Sequence, residues 1–311
     1  MKVLPDRKRM LWWLALLPVF YALYAGALYL AQDKMLFPSD MAGPVSGAFA
    51  APDRYERWPI DLPAGSAPAR DTAAPLQVEA WFFPARAATA QTPGPAVVHF
   101  HGNAELIDHQ EHIVRGYRRM GVSVLLCEFR GYGRSAGKPS QQAVVQDALA
   151  WTDRLRNDPR IDPDRIAIHG RSLGASVAQQ LAGQRPPQAL ILETATSDIG
   201  SMTLRFGLPP FVLRHRFDGR DLLRNTAAPV LVFQAEQDPI FPPKHGRRIA
   251  ELAPQSRLVT YDTDHVAFPG DANWSAYWQE IENVLKDAGV LVESAQPLEW
   301  QDASADTQPG D

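Results

Sequence analysis

Cysteine is nearly absent from this chain of 311 residues, which contains only Cys127. A single cysteine excludes an intrachain disulfide, so the fold does not depend on an oxidising compartment. Cys127 lies within the apolar run at residues 122–129, where a buried thiol is expected rather than a reactive one. Cysteine chemistry is therefore not indicated.

A strong charge of either sign is also lacking. The net charge is −4 and the isoelectric point is near 6.1, and no basic stripe with interleaved aromatic residues is present. Proteins that bind nucleic acid usually carry such a stripe, so we expect no nucleic-acid partner. Because 45% of the residues are hydrophobic, the chain has enough apolar material for one large domain.

Metal ligands at regular spacing are scarce as well. His99, His101, His109 and His112 are close in sequence, and the first two share a strand face. No second group of cysteine, histidine or aspartate residues follows at ligand spacing. We therefore do not favour a metal site at these histidines. We expect neither a metal ion nor a cofactor.

A long uncharged segment, in contrast, is present at residues 10–31. A helix of that length spans roughly 33 Å, enough to cross a bilayer. Basic residues at 7–9 precede it, which predicts a cytoplasmic amino terminus at 1–9, a transmembrane anchor at 10–31 and an exported remainder, periplasmic in a bacterium. A cleaved signal peptide and a buried core helix are the alternatives.

Strand-like and helix-like apolar runs alternate from residue 96 onwards. Two strands are predicted before this point, at 54–62 and 76–83, and residues 85–95 are interpreted as a hairpin loop. The later strands are predicted at 96–100, 122–129, 165–169, 189–192, 230–234 and 257–261, and the helices at 106–120, 141–156, 172–183, 243–252 and 274–288. This alternation predicts an α/β domain over residues 32–288 with a doubly wound, mostly parallel sheet.

Two segments fall outside the alternation. Residues 194–226, here called the insertion, are long for a strand-to-helix connection, and a connection of that length is more often a functional lid than an idle loop. Residues 289–311 are polar and acidic and are predicted to be disordered.

The Gly-Arg-Ser-Leu-Gly run at residues 170–174 carries the most chemical information. It lies between a strand-like and a helix-like segment, which is the setting of a nucleophile elbow. Side chains at Gly170 and Gly174 are expected to collide with the neighbouring strand and helix. Ser172 is therefore the candidate nucleophile, and a simple helix N-cap is the alternative.

A serine hydroxyl needs a base, and the base needs a carboxylate to orient it. His265 and Asp238 follow the strands at 257–261 and 230–234, and this is the chain order and the loop position expected in such a sheet. Glu236 is the alternative acid. The three residues Ser172, Asp238 and His265 are thus predicted to form a catalytic triad.

Acyl transfer by a serine also requires an oxyanion hole of backbone N–H groups. Leu173, directly after the candidate nucleophile, is predicted to supply one N–H group. Asn103, in the loop after the strand at 96–100, is predicted to supply the other, and Gly102 permits close approach of the backbone there.

Three motifs together resemble the α/β-hydrolase superfamily, in particular its membrane-anchored Bem46-like branch. They are His-Phe-His-Gly-Asn-Ala at 99–104, Glu-Phe-Arg-Gly-Tyr-Gly-Arg-Ser at 128–135 and the run at 170–174. The segment Gln-Asp-Lys-Met-Leu-Phe-Pro at 32–38 is also similar to that branch. The resemblance implies an eight-stranded hydrolase core, a triad matching Ser172, Asp238 and His265, and esterase or thioesterase activity.

We therefore predict a serine hydrolase that cleaves carboxylic ester or thioester bonds, with a lipid or an acylated protein as candidate substrates. The apolar side chains of the insertion could line an acyl pocket, with Arg214 and Arg216 facing lipid headgroups, or could simply cover the core. The apolar set is Met202, Leu204, Phe206, Leu208, Phe211, Val212 and Leu213. An exported serine peptidase and a non-catalytic membrane scaffold on the same fold are the alternative functions.

Overall fold

The computed structural model describes residues 7–45, 55–67 and 76–292. The strands are β1 (Glu56–Asp61), β2 (Gln77–Phe83), β3 (Gly94–Phe100), β4 (Ser123–Cys127), β5 (Ile161–Arg171), β6 (Ala189–Glu193), β7 (Val230–Ala235) and β8 (Ser256–Tyr261). The helices are α1 (Arg7–Leu36), α2 (Glu111–Arg119), α3 (Gln141–Arg156), α4 (Leu173–Ala182), α5 (Arg220–Asn225), α6 (Lys244–Leu252) and α7 (Trp274–Asp287).

The eight strands form one sheet in the order β1-β2-β4-β3-β5-β6-β7-β8. β2 pairs antiparallel with β1 and with β4, and every later pairing is parallel. The predicted mostly parallel, eight-stranded α/β sheet is thus confirmed. The carboxyl ends of β3, β5, β6, β7 and β8 lie at one edge, where ligands bind in sheets of this type.

Both faces of the sheet are covered at its centre, which explains why inner strands such as β4 and β6 are continuous apolar runs. Side chains alternate between the faces along each strand. In β3, Val98 and Phe100 pack with residues of α3, α4 and α6, whereas Val97 packs with residues of α2 and α7 on the other side. The edge formed by the carboxyl ends of the strands is therefore supported by a helix layer on each side.

One predicted connection is wrong. Residues 85–95 do not close a hairpin, because β2 pairs with β4 and not with β3. The turn residues indicated correctly that the chain reverses there, but β4, which is buried along its whole length, takes the place between the two strands. Apolar content identifies a central strand without identifying its neighbours.

The amino-terminal helix α1 continues past the predicted anchor to Leu36. Among the residues that the structure describes, no helix combines the length and the apolar character that a membrane span requires. The transmembrane helix predicted for residues 10–31 is therefore not supported. The second half of α1 instead runs on through Asp33 and Lys34, and the Gln32 side chain is buried against the protein. Export of the domain stays a prediction.

The insertion contains two 3₁₀ segments, Ile199–Phe206 and Pro210–Val212, followed by α5. At the other end of the domain, Val290 is buried and its carbonyl accepts a hydrogen bond from Arg165 Nε at 2.9 Å. The packed domain thus extends past residue 288, where the sequence predicted a disordered tail to begin. Residues 1–6 and 293–311, which belong to the predicted terminal segments, lie outside the described residues.

Candidate active site

Strand β5 ends directly before Ser172, and α4 begins directly after it. Ser172 has φ 52° and ψ −113°, a left-handed conformation that is costly for a residue with a side chain. A Cβ atom on Gly170 would lie 2.3 Å from the Gly174 carbonyl oxygen, and one on Gly174 would lie 2.2 Å from the Phe100 carbonyl oxygen. Both glycines are thus required by close backbone approach, as predicted from the motif.

The three predicted triad residues come together although they are far apart in sequence. His265 Nδ1 lies 2.6 Å from Asp238 Oδ2, and His265 Nε2 lies 2.9 Å from Ser172 Oγ. An ionised carboxylate can only accept hydrogen bonds, so Nδ1 carries the ring proton and Nε2 is left to accept from the serine hydroxyl. This is the tautomer that a general base requires.

The other oxygen of Asp238 is also fixed. Asp238 Oδ1 accepts hydrogen bonds from the backbone N–H groups of Ile240 and Phe241, both at 2.8 Å. Asp238 is 3% exposed, whereas Glu236 is exposed to solvent. The structure therefore places Asp238, and not Glu236, against the histidine.

The loop after β3 lies next to the serine. Asn103 and Leu173, the predicted oxyanion donors, line the same pocket as Ser172. The Asn103 carbonyl accepts a hydrogen bond from the Tyr132 hydroxyl at 3.0 Å, which fixes the peptide that follows Asn103. The backbone at the candidate oxyanion hole is thus held before any substrate binds.

His101 is completely buried and holds this loop in place. Its Nδ1 lies 2.7 Å from the Gly102 carbonyl oxygen and its Nε2 lies 2.7 Å from Glu128 Oε1. Burial lowers the pKa of His101, but the Glu128 carboxylate and the Gly102 carbonyl outweigh it and raise the pKa above its ordinary value. Since both partners are acceptors, the ring is held as an imidazolium. His101 is thereby committed to the loop rather than to a metal ion.

Arg171 joins the two loops that flank the nucleophile. Its Nη2 donates to the carbonyl oxygens of His265 at 3.1 Å and Val266 at 3.0 Å, and its Nε lies 3.3 Å from Glu105 Oε1. Glu105 Oε2 in turn accepts from the Gly102 N–H at 3.1 Å. The sequence analysis missed this link, since the variable position of the Gly-x-Ser-x-Gly motif carries no pattern that identifies its partners.

A buried, hydrogen-bonded histidine and glutamate lie next to the elbow. The Glu193 carbonyl accepts from the Ser172 N–H at 2.9 Å, and the Glu193 carboxylate lies 2.6 Å from His169 Nε2 and accepts from the Tyr277 hydroxyl. Burial raises the pKa of Glu193, but His169 outweighs it and holds the pKa below its ordinary value. The strained turn is therefore tied to the core through its neighbouring strand β6.

Ser172 opens into an apolar pocket with a cavity volume of about 220 Å³. The pocket is walled by α1, by the loop after β3, by the insertion and by the loop after β7. Besides Asn103, Ser172 and Leu173, its lining residues are Leu28, Tyr29, Gln32, Met35, Leu36, Ile199, Met202, Thr203, Phe206, Leu208, Val212, Leu213, Ile240 and Phe241.

The expectations for the insertion are met in part. Five of its seven singled-out apolar residues line the pocket, namely Met202, Phe206, Leu208, Val212 and Leu213. Leu204 and Phe211 do not, and they are 62% and 80% exposed. The two arginines form ion pairs within the protein: Arg214 with an aspartate of α1, and Arg216 with two aspartates flanking the insertion's 3₁₀ segments.

Comparison with known proteins places this site in a family. A family model described as Hydrolase_4, serine aminopeptidase S33, matches residues 91–217. An uncharacterized protein of Mycobacterium tuberculosis is 34% identical over 230 residues, which are 73% of this chain and 77% of that protein. The alpha/beta hydrolase domain-containing protein WAV2 of Arabidopsis thaliana is 31% identical over 237 residues, 67% of this chain and 75% of that protein. The chain belongs to the α/β-hydrolase superfamily.

This α/β-hydrolase also resembles the lysophosphatidylserine lipase ABHD12 of Danio rerio, at 31% identity over 54% of the chain and 50% of that protein. Among solved structures, an α/β-hydrolase from Vibrio vulnificus aligns with a TM-score of 0.62 at 19% identity, over 81% of this chain and 92% of that one. Est1E from Butyrivibrio proteoclasticus, with ferulic acid bound, aligns with a TM-score of 0.58 at 17% identity, over 70% of this chain and 96% of that one. At these identities the two structures show the shared fold alone.

Proposed function

We propose that this α/β-hydrolase is a serine hydrolase that cleaves carboxylic ester or thioester bonds of substrates with an apolar acyl chain. The observation that carries the proposal is the hydrogen-bonded series Asp238, His265 and Ser172 at an apolar pocket. The lipase relative supports the same class of reaction.

In the proposed mechanism, His265 Nε2 takes the proton of Ser172 as Oγ attacks the acyl carbonyl carbon. The negative charge that develops on the carbonyl oxygen is stabilised by the N–H groups of Asn103 and Leu173. The tetrahedral intermediate collapses to an acyl-enzyme as His265 donates its proton to the leaving alcohol or thiol. Water, deprotonated by the same histidine, then releases the acid and restores the serine.

The pocket favours an acyl chain over a peptide amino terminus. Its apolar lining matches a hydrocarbon chain, and its volume lies below the ~300–1,000 Å³ of pockets that hold drug-sized ligands, which favours a short or medium chain. An aminopeptidase needs a carboxylate to bind the substrate's ammonium group. None of the described residues that line the pocket is acidic.

Serine peptidase activity is the second candidate, because the matching family model is described as a serine aminopeptidase. The alternative of a non-catalytic scaffold does not account for a Ser172 side chain held within hydrogen-bond distance of a histidine. We also propose membership of the Bem46-like branch, which the similarity of residues 32–38 supports. The lipase relative favours a lipid substrate over an acylated protein.

A substrate panel tests the proposal. Purified protein is assayed with 4-nitrophenyl esters, acyl thioesters and aminoacyl anilides, and in parallel with a fluorophosphonate probe. We expect hydrolysis of esters or thioesters and covalent labelling, both lost in Ser172→Ala. Ser176→Ala is the matched control, because Ser176 is a fully buried serine one turn along α4.

Three outcomes are informative. Activity restricted to the anilides would favour the peptidase. No labelling of folded protein would favour the scaffold. Ester hydrolysis by Ser172→Ala at the wild-type rate would refute the proposed nucleophile.

A further inference from the structure

The second half of α1 is fastened to the insertion by hydrogen bonds spaced along the helix. The hydroxyl of Tyr21 donates to the Gly207 carbonyl at 2.9 Å, and that of Tyr24 donates to the Phe206 carbonyl at 3.0 Å. Tertiary contacts of this kind, far apart in sequence, hold the helix at a fixed position over the insertion.

Denser contacts follow near the end of α1. Gln32 Oε1 accepts from the Arg214 N–H at 2.7 Å, and Gln32 Nε2 donates to the Tyr29 carbonyl at 2.8 Å. The Arg214 guanidinium pairs with Asp33 at 3.1 Å and lies 4.9 Å from the centre of the Tyr29 ring. Because Gln32 uses both amide atoms in these bonds, it can face an apolar pocket without leaving a polar group unpaired.

One face of the helix forms a wall of the pocket. Leu28, Gln32, Met35 and Leu36 line it and are spaced as residues on one helical face. Leu30, which points away by the same geometry, is 79% exposed. Since Leu28 and Leu36 are eight residues apart, α1 lines the pocket over roughly 12 Å.

We propose that this face of α1, to which Leu28 belongs, determines the length of the acyl chain that the enzyme accepts. The inference rests on the proposed function and extends it. The wall of the pocket opposite the insertion is formed by α1, which is not part of the hydrolase sheet and its flanking helices. The chain length that fits is then set by the side chains of α1 as well as by those of the insertion.

Paired substitutions at Leu28 test the inference. Leu28→Trp fills the pocket and Leu28→Ala enlarges it, so the preferred 4-nitrophenyl ester should become shorter in the first variant and longer in the second. Each methylene that no longer fits should lower kcat/KM about fourfold, from the free energy of burying a CH₂ group. The two opposite shifts keep the test valid if one variant fails to fold.

Leu30→Trp and Leu30→Ala are the matched controls, since they make the same changes on the exposed side of the same helix. They should keep the wild-type chain-length profile. Equal profiles for the Leu28 variants, the Leu30 variants and the wild type would overturn the inference.

A binding measurement separates this inference from the proposed function. Displacement of a fluorescent medium-chain fatty acid reports on the pocket without catalysis. If the wild type hydrolyses no ester or thioester, the proposed function fails, and the role of α1 is then decided by binding alone. Weaker binding in Leu28→Trp but not in Leu30→Trp would support the wall, and equal binding in both would overturn it.

Discussion

Replacing Asp238 by asparagine is the most informative single change, because the structure dictates how the new side chain must lie. Oδ1 of Asp238 accepts two backbone N–H groups, from Ile240 and Phe241. The asparagine side chain can accept hydrogen bonds from these two N–H groups only through its amide oxygen, so its NH₂ group must face His265 Nδ1. That nitrogen then has to accept a hydrogen bond, and the ring proton moves to Nε2.

The consequence for catalysis follows from the tautomer. With the proton on Nε2, His265 can no longer accept the proton of Ser172, although the distances at the site hardly change. We expect kcat for ester hydrolysis to fall on the order of 10⁴-fold, as when the orienting carboxylate of a serine triad is lost. This corresponds to about 5.4 kcal/mol of transition-state stabilisation. KM and the melting temperature should change little, because both backbone hydrogen bonds are kept.

The assay is steady-state hydrolysis of a 4-nitrophenyl ester, with thermal unfolding measured on the same samples. Glu236→Gln is the matched control, since it makes the same chemical change two residues earlier at an exposed position, and it should retain wild-type kcat. If the kcat of the Asp238→Asn variant stayed within tenfold of the wild-type kcat, Asp238 would not be the carboxylate that sets the His265 tautomer. Loss of activity in Glu236→Gln would make that conclusion stronger.

Three further predictions concern the support of the site. Gly174→Ala should lower the free energy of unfolding, measured in urea, by roughly 3 kcal/mol or more, because the alanine Cβ would lie 2.2 Å from the Phe100 carbonyl oxygen. A much smaller decrease in the free energy of unfolding would mean that β3 and α4 can separate easily. Arg171→Met should lower kcat by about 10–100-fold with little change in KM, because the loop carrying His265 loses its anchor; an unchanged kcat would contradict this. Burial and the neighbouring imidazoles hold the pKa of His99 well below its ordinary value, so the unfolded chain binds a proton below pH ~6.5 that the folded chain does not. The free energy of unfolding should therefore fall as the pH drops below that value, by up to ~1.4 kcal/mol per pH unit for this residue. In His99→Gln, the free energy of unfolding measured in urea should depend less steeply on pH between pH 6.5 and 5. An unchanged pH dependence would show that His99 is protonated in the folded state.

The positions of the strands could be predicted from the sequence because this sheet is buried on both faces. A strand covered on both sides is a continuous apolar run, and β4 and β6 are buried along their whole length. The same pattern does not encode which strand lies beside which, so the placement of β4 between β2 and β3 could not be read from it. The carboxyl ends of the strands nevertheless located Ser172, Asp238 and His265, since loop position depends on chain order and not on neighbours.

The packing of α1 against the insertion could not be predicted, because an apolar helical stretch has the same composition whether it contacts lipid, a protein core or an acyl chain. One signal was available: Gln32 and Asp33 follow the apolar run directly, and both bind Arg214 of the insertion. The two-loop link through Arg171 could not be found in advance either. An arginine at the end of a strand has many possible acceptors, and only the folded chain brings the His265 carbonyl within 3.1 Å.

Trapping of the covalent intermediate tests the central claim most directly. The protein is mixed with a 4-nitrophenyl ester, quenched in acid within the first turnover and digested, and the peptides are analysed by mass spectrometry. We predict an acyl group on the peptide that contains Ser172, with fragment ions that assign it to that residue, and none in Ser172→Ala. Turnover of the ester with no acylated Ser172, or with the acyl group on another residue, would contradict it.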